Sequence, residues 1–89
     1  MTDAKRLEDA IRQLRAEIGA LAGRDDAARQ RLEALMREIE ATLAHPGRAE
    51  DKRSLAGQLK ASVLAFKASH PRIAAVMNEV VEQLGNMGI

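Results

Sequence analysis

An all-α fold is expected here from three features of the sequence. Apolar residues recur three and four positions apart, the spacing that lines one face of an α-helix. Turn-forming residues cut the chain into four such stretches, at Gly23 to Asp26, at His45-Pro46-Gly47 and at Ser69-His70-Pro71. The 89 residues include 17 Ala and a single aromatic side chain, Phe66, so aliphatic helix faces must build the core of one domain spanning residues 1–89.

Helix 1, about residues 3–22, carries Leu7, Ile11, Leu14, Ile18 and Leu21 within roughly 100° of arc. Asp3 stands at its N-cap position, and Glu8 precedes Arg12 by one turn, the favourable order for an ion pair. Gly23 tolerates the left-handed backbone on which helices often end, and Asp25 or Asp26 supplies the next N-cap oxygen. Helix 2, about 26–44, repeats the pattern with Ala28, Leu32, Leu35, Met36, Ile39 and Leu43, and sets Glu33 one turn before Arg37. It stops near Ala44, because a residue preceding proline is pushed out of the helical region and His45 precedes Pro46. A second arrangement fits the same residues. The heptad register that puts Leu7, Leu14 and Leu21 at d runs through the proposed turn without a slip, so residues 3–44 would form one rod about 60 Å long that dimerises as a coiled coil. Asp25 at an a position, and Gly19 and Gly23 at about 1 kcal/mol each relative to Ala, favour an antiparallel hairpin instead.

Helix 3, about 49–69, opens with Glu50 and Asp51 at the positive end of its dipole, and Leu55, Leu59, Val63 and Phe66 form its core face. Gly57, Ala61, Leu64 and Ala68 fall on the other side, with Arg53, Lys60 and Lys67 in a narrow strip beside them. Small residues let two helix backbones approach closely, which marks that side as a second contact surface; the plainer reading is that Ala and Gly are tolerated in water. Helix 4, about 71–84, starts at Pro71 behind a cap from Ser69 or His70. Its Ile73, Val76, Met77, Val80, Val81 and Leu84 span an arc of about 140°, more than one neighbour can cover. Gly85 ends it, and Met87 and Ile89 fold back on the last turn.

Composition narrows function more than it identifies it. Without Cys there are no disulfides, thiolate zinc sites or thiol nucleophiles, and a reducing cytoplasm is the default location. No leader-like apolar run occurs in the first 30 residues and no stretch approaches a membrane span, while Glu79 and Glu82 on the polar side of helix 4 argue against binding at a membrane surface. The two histidines both precede proline and read as helix-end residues; with carboxylates alone to join them they make a poor ligand set, so no metal is expected. Ser69 and His70 are chain neighbours, which keeps their side chains out of attack geometry, and no Gly-rich oxyanion loop accompanies them. No catalytic, cofactor-binding or metal residue is assigned, and an enzyme is not expected. Net charge is only +1, yet residues 45–70 hold 5 basic against 2 acidic side chains, and Arg53, Lys60 and Lys67 at seven-residue spacing could track phosphates. Because no aromatic residue is interleaved for base stacking, a solvated face is the preferred reading of that strip.

The run Phe66, Lys67, Ala68, Ser69, His70, Pro71, Arg72, Ile73, Ala74, Ala75, with Leu84, Gly85, Asn86, Met87, Gly88, Ile89 at the terminus, resembles a family of small bacterial helical proteins, domain-of-unknown-function family 4404. The likeness covers nearly the whole chain, including a Leu-rich second helix like Leu32 to Leu43, and its specific elements are the C-terminal ones. Members often carry Pro in the first interhelical segment, which favours the hairpin. The resemblance implies the fold and implies no activity.

The expected architecture is an antiparallel hairpin plus two further helices joined at the Ser69-His70-Pro71 corner. Leu59, Val63, Phe66, Ile73, Met77, Val80 and Leu84 are its candidate core; Gly57, Ala61, Leu64 and Ala68 are its candidate interface. A core so poor in bulky side chains is marginal alone, so a homodimer is expected to complete the bundle. The function expected is a non-enzymatic interaction or scaffold role, through self-association or an unidentified protein partner. A nucleic-acid accessory role for Arg53, Lys60 and Lys67 is the alternative. Burial of Phe66 and the helix 4 stripe inside one subunit, with Gly57, Ala61 and Leu64 in water, would remove the reason for a dimer.

Overall fold

A computed structural model describes residues 3–44 and 49–86, and among these there is no strand. Helix α1 runs Asp3–Gly19, α2 Asp26–Ala44, α3 Ala49–Phe66 and α4 Pro71–Asn86. Each helix packs on the next, and α4 closes the ring against α1. Ile18 lies near Met36 while Ile11 lies near Leu43, so α1 and α2 are antiparallel. The same reversal holds between α2 and α3, where Arg31 meets Phe66 and Thr42 and Asp51 line one groove, and between α1 and α4, where Glu17 meets Arg72 and Asp9 and Glu79 line another. The longest dimension is 36 Å, which excludes a rod of about 60 Å for residues 3–44.

The two cover surfaces demanded by the wide stripe of α4 both come from its own chain. The backbone of α4 lies close to α1 on one side and α3 on the other. Ile73, Val76, Met77, Val80 and Leu84 are buried between them with Leu7, Leu14, Ile18, Leu55, Leu59 and Phe66, and Val63 and Val81 pack at the margin. Small side chains explain how so few bulky ones suffice. Ala10, Ala28 and Ala74 are buried at the helix contacts, where a methyl group permits an approach that a larger residue would block. A thin core is therefore a tightly drawn one. Phe66 and the α4 stripe are sealed in a single subunit and Gly57, Ala61, Leu64 and Ala68 face solvent, so the shortage of cover from which a dimer was expected does not exist.

The helix ends correct the sequence reading in three places. Helix α1 stops at Gly19, not near residue 22, and tightens into turns: the Leu21 N–H donates to the Ile18 carbonyl at 3.0 Å and the Ala22 N–H to Gly19 at 3.2 Å. Leu21 still reaches the core, which is why its helical spacing misleads. Gly23 then takes φ +77°, the left-handed value required at the third residue of a type II turn, and the Leu21 carbonyl accepts the N–H groups of both Arg24 and Asp25. Helix α3 ends at Phe66, not near 69, because Pro71 holds His70 extended; residues 67–69 form a turn closed by the His70 N–H on the Phe66 carbonyl at 2.7 Å. Helix α4 passes through Gly85 to Asn86. Two expected ion pairs also choose other partners: Glu33 accepts from Arg29 rather than Arg37, and Arg12 meets Asp9 rather than Glu8. The cap from Asp3, the break at His45-Pro46-Gly47 and the fold-back of Met87 and Ile89 lie outside what the structure describes.

One buried polar group escapes the aliphatic pattern. Gln83, 5% exposed, sits one turn beyond Glu79 and two beyond Val76 on the side of α4 that faces α1. Its Nε2 donates to Glu79 Oε1 at 3.0 Å, which fixes the amide orientation, and its Oε1 is buried without a partner. An unsatisfied buried acceptor costs about 1–3 kcal/mol. Gln83→Met, which keeps the volume and removes the orphan oxygen, is expected to raise the thermal midpoint; a lower midpoint in a melt followed at 222 nm would show that the oxygen is satisfied in solution.

Candidate functional site

Antiparallel packing brings both short connections, residues 20–25 and 67–70, to one end of the bundle. There Asp25 does two jobs. As the N-cap of α2 its Oδ1 accepts the Ala28 N–H at 3.1 Å, while its Oδ2 accepts from His70 Nε2 at 2.9 Å, across 45 residues of sequence. Asp26 turns back to accept the Gly23 N–H at 3.1 Å. His70 caps α4 with its backbone, its carbonyl accepting the Ala74 N–H, and its ring leans on Phe66 with centroids 6.1 Å apart. The Arg31 guanidinium lies 5.2 Å from the Phe66 centroid on the α2 side, and Arg72 meets Glu17 at 3.7 Å. All four helices are thus tied at this end.

The contacts of this cluster join helix ends to one another. His70 is directed at Asp25, and Ser69, exposed in the turn, makes no hydrogen bond to the ring. Among the described residues no three His, Cys, Asp or Glu side chains converge as a metal would require. The hydrogen bond from His70, then that from the Ala28 N–H, holds the Asp25 carboxyl below its ordinary range; burial opposes them and the charge of His70 adds to them. A carboxyl depressed in the folded state contributes stability above its unfolded pKa and loses it as pH falls through the folded value. Asp25→Asn, which retains a capping oxygen, is therefore expected to flatten the loss of stability between about pH 5 and pH 2, as read from urea midpoints. Identical acid limbs for both proteins would mean that Asp25 is not held by His70 in solution.

The second candidate is the outer face of α3. Leu64 is 75% exposed, the one large hydrophobic side chain so displayed among the described residues. Gly57 and Ala61 precede it at spacings of four and three on the same exposed face, and a Cβ built on Gly57 would meet nothing within 4 Å. Arg53 and Lys60 flank this row, and none of Arg53, Lys60 or Lys67 makes an ion pair with a described residue. Because α3 ends at Phe66, Lys67 and Ala68 lie in the turn beyond the helix and extend the face only at its tip. On the α2 side Ala61 borders an open groove of about 420 Å³, floored by Leu32, Leu35 and Phe66 and edged by Arg31 and Glu38.

The structure brings together the predicted core and separates it from the predicted interface, and it joins Ser69, His70 and Pro71 in the expected corner. Sequence reasoning missed the link from Asp25 to His70 and the buried Gln83. The first had a signal: in an antiparallel four-helix ring the turn at 23–26 and the corner at 69–71 must share an end. Gln83 had none, since its neighbours Glu79 and Glu82 mark a polar side.

A family model described as a domain of unknown function, DUF4404, matches residues 7–89. No curated protein and no solved structure matches the chain.

Proposed function

From membership of the DUF4404 family, whose description assigns no activity, and from the surface just described, we propose that the chain is a non-enzymatic helical interaction module that engages another macromolecule through the outer face of α3. The observation that carries this reading is Leu64, held in water beside two residues without bulk and two cations without counter-charges. Scattered apolar residues are common on surfaces, but a contiguous apolar and small row edged by unpaired charge has the composition of a docking patch with a polar rim. The remaining apolar stripes are already covered, and no described helix is long and apolar enough to cross a membrane. A cytoplasmic setting fits the Cys-free composition.

A nucleic-acid reading draws on the same three exposed cations, Arg53, Lys60 and Lys67. Against it, Leu64 and Ala61 would face hydrated phosphates, and the nearest aromatic ring, Phe66, is buried.

A photo-crosslinking residue placed at position 64, with a control at exposed Asn78 on α4, separates these readings in the source cell. Adducts to a polypeptide from position 64 alone are the expected result. Adducts to nucleic acid would establish the second reading, and equal yields from 64 and 78 would overturn both.

A further inference from the structure

We infer that the occupant of the α3 face is an acidic amphipathic helix that carries large apolar residues opposite Gly57 and Ala61, a small one opposite Leu64, and carboxylates along one edge. The inference rests on the interaction reading and specifies the partner's chemistry. Gly57, Ala61 and Leu64 take the alternating a and d positions of a seam independent of the core seam through Leu55, Leu59 and Phe66. In that register Arg53 and Lys60 both stand at g, and Lys67 follows at the next g just past the helix end. The e positions are Asp51 near the start of the helix, then Gln58 and Ala65, which carry no charge. One edge of the seam is therefore wholly basic, while the other carries one carboxylate, Asp51, near its start and is uncharged beside Ala61 and Leu64, and g and e residues set the choice and direction of a partner helix.

A second copy of the chain answers this pattern poorly. An antiparallel self-pair would set Arg53 and Lys60 against their own counterparts, a like-charge contact, and a parallel self-pair would set them against Gln58 and Ala65 with no attraction gained. An acidic helix supplies what both lack. Carboxylates seven residues apart would meet Arg53 and Lys60, which stand about 10 Å apart along the axis. The shallow stretch at Gly57 and Ala61 would admit a Leu or Met that a bulkier seam would exclude.

The test uses the whole chain and three synthetic helical peptides with one apolar seam, Leu opposite Gly57 and Ala61 and Ala opposite Leu64, flanked by Glu, Gln or Lys. Binding is followed by fluorescence anisotropy at two salt concentrations. The Glu peptide is expected to bind at least about tenfold more tightly than the Gln peptide, with the gap narrowing as salt rises, and the Lys peptide not to bind. Lys60→Glu, which leaves Arg53 and Lys67 basic, should shrink the advantage of the Glu peptide over the Gln peptide, and Leu64→Ser should weaken both the Glu and Gln peptides; both sites are exposed, and unchanged circular dichroism verifies the fold. Equal affinity for Glu and Gln peptides would overturn the charge assignment while leaving a docking face intact. Affinity unmoved by Leu64→Ser would overturn the face itself. A dimer of the chain broken by Leu64→Ser would make the occupant a second copy, and salt-sensitive binding to a short DNA duplex in place of every peptide would make it nucleic acid.

Discussion

Leu59→Ala is expected to cost about 2–5 kcal/mol of stability, and Leu64→Ala almost none, although the two leucines lie five residues apart on one helix. Leu59 has no exposed surface and sits in the aliphatic core, so truncation leaves a cavity that the tightly drawn helices cannot close without moving their backbones. Leu64 stands in solvent, where loss of its side chain removes no packing. A domain of 89 residues has a total stability of about 4–13 kcal/mol, so the first change consumes a large share of it and should lower the thermal midpoint by at least about 10 °C. Thermal melts followed at 222 nm check both. A comparable fall for Leu64→Ala would mean that Leu64 is covered in solution, by another copy or by a different packing of α3.

Gly23→Val is expected to cost about 1–3 kcal/mol, for a reason that has nothing to do with space. A Cβ at Gly23 would meet no atom within 4 Å, so the whole effect comes from the backbone, which at φ +77° is strained for a β-branched residue. The cost is transmitted, because the Gly23 N–H donates to Asp26 and the turn sets Asp25 against Ala28 and His70. Gly57→Ala should act with the opposite sign: in an exposed helix interior with open space around it, a methyl group is expected to add about 0.5–1 kcal/mol. Urea midpoints for the pair separate conformational from steric effects. An unchanged midpoint for Gly23→Val would show that the turn re-forms without the left-handed residue.

The sequence made the four segments readable because each hides one apolar stripe and each is bounded by residues with a local reason to break a helix. Asp25 decided between hairpin and rod: a carboxylate at a seam position was hard to place in a coiled coil and natural as the N-cap it proves to be. Boundaries were less readable where a side chain keeps its role after the backbone changes its own, as Leu21 does in reaching the core from a turn. Gly85 misled in the other direction, since a glycine in a helix costs too little to stop one that its neighbour Leu84 anchors. The argument for a dimer from a shortage of core treated alanine as missing core, whereas Ala10, Ala28 and Ala74 are themselves buried within one subunit. The tie between Asp25 and His70 depends on topology, which no local pattern carries.

The uneven placement of charge bears on rate as well as on partner choice. A chain that is nearly neutral overall, with Arg53, Lys60 and Lys67 gathered on one side, presents a directional field to anything approaching it. An anionic partner would be turned toward α3 before contact, so encounters would be productive more often than chance orientation allows. For the partner proposed above, dissolved salt would then slow arrival markedly, while departure, set by apolar contact with Leu64, would change little.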